Sequence, residues 1–513
     1  MNKYTVRPLK DNDTISVEVP GSKSITNRAL LLAAMRTDKC TLTGVLFSDD
    51  SRAFLSCLKS LGFELKINEQ DKTVTITGTG GNIPNRTASI NVGSAGTAAR
   101  FLTVFLAFAG GDYFLDASPQ MCRRPMEALL SNLEKAGATI ECTGEKGHFP
   151  FRLSSKGICV DEMTTDTDIS SQYASAMLMS APLLDKGLRV NLTGSRTHGS
   201  YINITLRMME QFGYSYTREG DSIFVNPAGS DNKSGNSTNV KTVSCAGVQD
   251  SNHSRTGFTY NIEPDVSAAC YFYAMSPICG KTVQVKNVHL ASMQGDIQFL
   301  KALEDIGCII RDTSHNTADA ISEDNVTGTN VTNVTPEGLN PNDGLVLYPP
   351  ANGRYPGIDI SMKDYSDQTM TMAVVAAFAS SPSAIRNVGH IQHQESDRLN
   401  AIISGLNRLG CKCEAITDEN GDRTGLYIEP PFTDNRTDDV YGVDTTAVAA
   451  GEHEANTYGM HGADIETYED HRIAMAFSLT GLRIPGVNIL NPMCCRKTFE
   501  NYFEVLDSLC VEE

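Results

Sequence analysis

Leu58–Lys59–Ser60–Leu61–Gly62 reads as the end of a helix, and its form recurs along the chain. Leu133–Glu134–Lys135–Ala136–Gly137, Met209–Glu210–Gln211–Phe212–Gly213, Leu303–Glu304–Asp305–Ile306–Gly307 and Leu406–Asn407–Arg408–Leu409–Gly410 repeat it. Glycine there supplies the left-handed position that closes a helix. Alternating residues follow each copy, such as Phe63, Leu65 and Ile67, or Cys411 and Cys413, and predict a strand. A degenerate sixth copy, Leu506–Asp507–Ser508–Leu509–Cys510, ends the series.

A second element recurs between these. Six apolar helices start behind small polar clusters. Ser22–Lys23–Ser24 precedes Ala29–Met35, Gly93–Ser94–Ala95–Gly96–Thr97 precedes Phe101–Ala109, and Ser170–Ser171–Gln172 precedes Ala174–Ala181. Pro264–Asp265 leads into Val266–Met275, Ser366–Asp367–Gln368 into Met370–Ala379, and Asp470–His471–Arg472 into Ile473–Leu482. A helix apolar nearly all round belongs in a core. From Ser24 through Gly96, Ser171, Val266 and Asp367 to Asp470 the steps are 72, 75, 95, 101 and 103 residues. The longer steps hold insertions: 229–257 rich in Ser, Asn and Gly, 313–356 with Asn-Val-Thr repeats, and 433–466, acidic and polar. Such composition predicts loops. The reading is therefore an α/β chain of six βαβαββ-like units.

Composition narrows the function. Of 513 residues, 40% are hydrophobic and 20% charged, which allows sizeable cores in two or three domains. Lys and Arg number 43 against 61 Asp and Glu, a net charge of −18 that argues against a general nucleic-acid binder. A local basic cluster can still capture a small anion, because charges beyond a Debye length of roughly 10 Å are screened. No run of about 18 apolar residues predicts a membrane span, and the first ten residues show no apolar leader. The 14 cysteines are scattered without a C-x-x-C pair, so reduced, buried thiols and a cytoplasmic protein are expected, not a metal site.

The helix starts carry the functional signal. A buried helix exposes unpaired N–H groups at its positive end, where an anion binds. Four of the six starts also bring Lys or Arg, or an adjoining Ser-Ser-Gln, and Lys23, Arg28, Arg100, Arg124, Arg398, Arg472 and Lys497 lie at or beside them. Together they predict a cleft for multiply charged ligands. Neither Gly21–Ser24 nor Gly93–Arg100 has P-loop spacing, which argues against an ATPase.

These motifs resemble a known family. Pro20–Gly21–Ser22–Lys23–Ser24–Ile25–Thr26–Asn27–Arg28–Ala29–Leu30 is similar to the opening motif of the 5-enolpyruvylshikimate-3-phosphate (EPSP) synthases, and Gly93–Arg100 resembles their glycine loop. Arg123–Arg124–Pro125, Ser170–Ser171–Gln172, Ser292–Met293–Gln294–Gly295–Asp296, Glu395–Ser396–Asp397–Arg398, Asp470–His471–Arg472 and Lys497–Thr498–Phe499 correspond in the same order. The resemblance implies an inside-out α/β fold of two domains with three repeats each, residues 22–262 in one and 1–21 plus 263–513 in the other, joined by a hinge. It implies carboxyvinyl transfer from phosphoenolpyruvate (PEP) to the 5-hydroxyl of 3-phosphoshikimate, in the shikimate pathway, by a monomer without metal or organic cofactor, with no nucleic-acid or membrane partner. By the same resemblance, Lys23, Ser24, Arg28, Ser170, Ser171, Gln172, Asp367, His390 and Gln394 hold 3-phosphoshikimate. Lys23, Gly96, Arg124, Gln172, Arg398, Arg472 and Lys497 surround PEP. Asp367 is the base, Glu395 the methylene proton donor and Lys23 their assistant. For Glu395 to act as an acid near neutral pH, a raised pKa is expected.

Four positions depart from the family. Gln394 stands where Lys is usual, His390 where Asn is common, Ser94 replaces Asn, and Phe101 follows Arg100 where Pro is frequent. Neutral hydrogen bonds contribute about 1 kcal/mol against roughly 1.5–3 for charge-assisted ones, so weaker 3-phosphoshikimate binding is expected unless His393 compensates. A sister carboxyvinyltransferase acting on UDP-N-acetylglucosamine is disfavoured, because Cys122 lies only two residues before Arg124 and the opening differs. A non-catalytic binding paralogue remains as the alternative of another class.

Overall fold

The computed structural model describes residues 2–229, 257–312, 339, 343–431 and 459–512. Their strands form six sheets, and five share one four-stranded design. In each of the five, the first two strands pair in parallel and the next two close antiparallel, as in Thr87–Asn91, Gly111–Asp116, Phe151–Ser155 and Thr139–Cys142. A parallel pair cannot be joined by a tight turn, so a crossover helix must run between its strands. Five of the six strongly apolar segments are those helices, and the sixth, ahead of Lys39–Thr43, leads into a strand whose parallel partner Phe258–Asn261 comes from far along the chain.

The chain divides into two compact units, Met1–Lys23 with Glu263–Glu513, and Ser24–Ile262. In the second of these the repeats carry α1 (Lys23–Met35) with α2 (Asp49–Ser60), then α3 (Gly96–Ala109) with the short α4 (Pro119–Cys122) and α5 (Glu127–Lys135), then α6 (Ser171–Ser180) with α7 (Ser200–Gln211). In the other they carry α8 (Val266–Cys279) with α9 (Gln298–Asp305), α10 (Thr369–Ala377) with α11 (Arg398–Arg408), and α12 (His471–Gly481) with α13 (Tyr502–Leu509). Expected from Gly21, the first crossing falls at Lys23. Ser22 N donates to Glu263 O at 2.8 Å and Lys23 N to Asp265 Oδ2 at 3.1 Å, which tie both residues to the returning strand.

Each unit places its apolar helices inside and its sheets outside. Every residue of α10 is buried, and α8 is buried at all positions but Ser267. The strands alternate, buried and exposed, as in Phe151–Ser155, so one face packs and the other meets water. Fully burying a Leu or Phe stabilises by about 1.5–3 kcal/mol, which favours this arrangement over one with the apolar helices outside. The closing glycine after α2 has φ +87° and that after α11 +90°, a region that penalises any side chain. No helix among the described residues is long and apolar enough to cross a membrane.

Distant strands complete the repeats. Phe258–Asn261 pairs in parallel with Lys39–Thr43, and Thr14–Val17 with Thr282–Val285. The sixth sheet has three strands, one of them Lys3–Thr5 from the N-terminus, and its missing strand is reduced to a single Leu9–Cys510 bridge. Much of the three expected loops, 230–256, 313–342 apart from residue 339, and 432–458, lies outside the described residues. Their C-terminal ends correct the expectation: Val346–Tyr348 and Asp464–Ile465 are strands. The short apolar run Leu345–Val346–Leu347 was masked by the polar residues around it, yet all three residues are fully buried.

Candidate active site

In the unit containing α8, α10 and α12, three helix starts bring opposite charges together. Asp367 lies in a tight turn before α10 and faces two guanidinium groups, Arg398 Nη1 at 3.0 Å and Arg472 Nη2 at 2.9 Å. Arg398 opens α11 and also donates Nε to Asp470 Oδ2 at 2.7 Å. Asp470 caps α12 by accepting Arg472 N at 2.9 Å, and takes the Ser396 hydroxyl at 3.0 Å. Burial alone would lower the Arg398 pKa, but Asp470 and Asp367 carry it above the ordinary range. These short, charge-assisted bonds fix both forks without flexibility.

Glu395 sits beside this clamp. Its Oε1 is 2.9 Å from Lys497 Nζ and its Oε2 3.2 Å from His471 Nδ1. Burial works to raise its pKa, yet Lys497, His471 and Lys23 together hold it well below the usual carboxylate range. The expected raised pKa is therefore corrected: in this state Glu395 is ionised, because Lys497, His471 and Lys23 together outweigh desolvation. His471 is moved the other way, its pKa lowered chiefly by burial against the pull of Glu395. Asp470, His471 and Glu395 are also the one group among the described residues spaced like metal ligands. Their carboxylates already face Arg398 and Lys497, which disfavours a further cation.

The departing residues have local explanations. Gln394 Oε1 accepts from Arg398 Nη1, a role its amide oxygen can fill and an ammonium could not. His390 Nε2 contacts Ser366 Oγ at 2.9 Å, next to Asp367. His393, expected as a compensating cation, is exposed.

The other unit holds cations in a different setting. Arg28 is only 2% exposed, and its nitrogens go to Thr205 Oγ1 at 2.8 Å, Ser24 O at 3.0 Å, Ser175 Oγ at 3.1 Å and Tyr201 O at 3.2 Å. The Phe101 ring lies 5.4 Å from its guanidinium, which accounts for Phe in place of Pro. Burial lowers the Arg28 pKa to about 10. In this structure Arg28 is thus a buried brace, its nitrogens taken up by protein acceptors. Near the start of α3, a methyl group on Gly96 would meet Arg100 Nη1 and Arg124 Nη1, each at 2.9 Å, and Gln172 Oε1 at 3.6 Å. Glycine at 96 therefore keeps open the space beside two guanidinium groups. Burial, then repulsion by Arg124, lowers the Arg100 pKa to about 9. Ser170 caps α6 by accepting Gln172 N at 3.2 Å, with Ser171 the first residue of that helix. Ser94 Oγ pairs with Ser118 Oγ at 2.7 Å.

The first unit therefore gathers Asp367, Gln394, Glu395, Arg398, Arg472 and Lys497, with His390 beside Asp367 and the Lys23 charge acting on Glu395. The second gathers Gly96, Arg124 and Gln172 and holds Arg28 deeper, on Ser24 and Ser175. Asp470 and His471 joined these clusters although sequence reasoning gave them no role of their own. Both lay inside a quoted motif, but only contact could show what they hold.

A fold of two three-repeat units with helices inside and charged helix starts is that of the enolpyruvyl transferases. The profile of the family described as EPSP synthase (3-phosphoshikimate 1-carboxyvinyltransferase) matches residues 12–506. A 3-phosphoshikimate 1-carboxyvinyltransferase of Nostoc punctiforme is 36% identical over 489 residues, covering 95% of this chain and 94% of that protein. One of Cupriavidus necator is 34% identical over 510 residues, covering 98% and 99%. The EPSP synthase structure from Acinetobacter baumannii superposes with a TM-score of 0.71 at 20% identity, over 99% of this chain and 98% of that one. The chain belongs to the EPSP synthase family.

Proposed function

We propose that the chain transfers the carboxyvinyl group of PEP to the 5-hydroxyl of 3-phosphoshikimate and releases phosphate, through a tetrahedral intermediate. Each substrate carries a carboxylate and a phosphate of about −1.5 to −2 charge, so cations must outweigh mutual repulsion. Lys23, Gly96, Arg124, Gln172, Arg398, Arg472 and Lys497 are assigned to PEP. Lys23, Ser24, Arg28, Ser170, Ser171, Gln172, Asp367, His390 and Gln394 are assigned to 3-phosphoshikimate, with Arg28 acting as the brace beneath Ser24.

The observation that carries this reading is the pair of ionised carboxylates on one cationic clamp: Asp367 between Arg398 and Arg472, and Glu395 on Lys497. Asp367 removes the 5-hydroxyl proton as that oxygen bonds to C2 of PEP, and C3 gains a proton from Glu395. Glu395 must first be protonated. Substrate anions arriving beside Lys497 draw its charge away, and the Glu395 pKa rises. In elimination Glu395 takes a proton back from the new methyl group, the bond from C2 to the phosphate oxygen breaks, and phosphate leaves with the proton that Asp367 had gained, which restores the Asp367 carboxylate. We place this activity in a cytoplasmic monomer, in keeping with the mostly buried free thiols.

Phosphate release measured with both substrates tests the reading. Asp367→Ala and Glu395→Ala should each lose about 10²–10⁴ in kcat, the usual worth of a positioned acid or base. Full activity in either variant would overturn its role, and binding without phosphate release in the wild type would turn the reading to a non-catalytic paralogue.

A further inference from the structure

Asp296 has no part in the chemistry above, yet it is wired into it. It lies in the tight turn Gly295–Ile297 and is buried against α8 and the turn that carries Asp367. Its Oδ2 accepts the hydroxyl of Ser267, the second residue of α8, and Gln368 Nε2 at 3.1 Å. Gln368 Oε1 in turn accepts the Thr371 hydroxyl at 3.0 Å, so its amide is held at both ends. Gln368 directly follows Asp367. The Asp296 carboxylate thus anchors the turn that aims Asp367 at Arg398 and Arg472.

Charge ties them as well. Burial and then Asp367 raise the Asp296 pKa to about 6, while Arg472 and the Ser267 and Gln368 hydrogen bonds oppose the rise. The facing groups are Ser267 and Cys270 on α8, whose thiol reaches Asp296 O at 3.6 Å, with Asp265 at the start of that helix, Asp367 and Gln368 on their turn, and Arg472 on α12. On α9 the charged residues Lys301, Glu304 and Asp305 pair with one another at the surface.

We propose that Asp296 is a positioning residue for the transfer: through Gln368 it sets the aim of Asp367, and by holding or releasing a proton it sets how much Arg472 charge remains for the anionic substrate. This rests on the functional reading above. When Asp296 is ionised it offsets Arg472, weakens the grip on PEP and makes Asp367 a stronger base. When protonated it does the reverse.

The test compares wild type with Asp296→Asn from pH 5 to pH 8, with PEP and 3-phosphoshikimate as substrates. Ratios are needed because the PEP phosphate itself titrates near pH 6. The wild-type KM for PEP divided by that of the variant should be flat at low pH, rise through about 6, and reach about fivefold by pH 8. The kcat of the variant should fall below wild type over the same interval. Ser267→Ala removes a bond that favours the ionised form, so its inflection should lie about one pH unit higher than in wild type. If Asp296→Asn does not fold, the ratio of Ser267→Ala to wild type should show an excursion confined to pH 6–7. A ratio constant across pH overturns the proposal in either comparison. If wild type releases no phosphate, the functional reading fails, and melting temperatures still decide Asp296. The Asn variant should then gain on wild type as pH rises toward 6, and a constant difference would overturn the titration.

Discussion

Arg398 and Arg28 are equally buried, each 2% exposed, in opposite surroundings. Arg398 is bracketed by Asp470 and Asp367, and these raise its pKa. Among the described residues Arg28 meets hydroxyls, carbonyls and the faces of Phe101 and Tyr201, and burial lowers its pKa. Arg100 follows Arg28, with no carboxylate within ion-pair distance among the described residues. At its helix starts the first unit therefore neutralises its buried cations with carboxylates, and the same bonds orient those carboxylates. The other buries Arg28 and Arg100 with no carboxylate partner among the described residues. The difference is one of neutralisation: carboxylates compensate the buried charge of Arg398, and neutral acceptors hold that of Arg28.

The contrast is broken most severely at Asp470. Asp470→Ala leaves Arg398 buried with only part of its neutralisation, and should cost about 3–5 kcal/mol in urea unfolding. Next is Glu395, whose folded-state pKa is depressed. Its ion pairs stabilise the protein above the unfolded carboxyl pKa of about 4.3, and that contribution fades as pH falls through the lower folded value. Glu395→Gln should cost about 2–3 kcal/mol at pH 7 and progressively less in acid, read from melting curves.

Arg28→Met tests the uncompensated cation. Lost hydrogen bonds and relieved desolvation offset, so unfolding should shift by less than about 1 kcal/mol while the KM for 3-phosphoshikimate rises about tenfold or more. A large loss of stability would mean that Arg28 is structural alone. Gly96→Ala puts a methyl group 2.9 Å from two guanidinium nitrogens and should raise the KM for PEP by about tenfold, leaving that for 3-phosphoshikimate little changed. The smallest effect is expected at Gln394. Gln394→Lys gains a charge but removes the acceptor on Arg398, so the 3-phosphoshikimate KM should fall by only about threefold.

Legibility followed locality. The helix ends at Gly62 and Gly410, the buried runs from Phe101 and from Met370, and the strand at Cys413 were readable because glycine conformation and apolar period act within a few residues. The strand Val346–Tyr348 was hidden by its polar neighbours, and Phe258–Asn261 pairs with a strand more than 200 residues earlier, which no local window reports. Site residues were legible as motif members, since Asp367, Glu395 and Arg472 each flank a helix start. The expected protonation of Glu395 failed, because Lys497 lies about 100 residues away in the chain and 2.9 Å away in space.

By itself the sequence determined six repeats, their buried helices and a set of charged helix starts, all products of short-range propensity and burial. Only the tertiary structure decided which cation meets which carboxylate. Ion pairing and desolvation depend on distances of a few ångströms between residues from different repeats, and these forces set whether Glu395 is charged, whether Arg28 is open or enclosed, and what Asp296 holds in place.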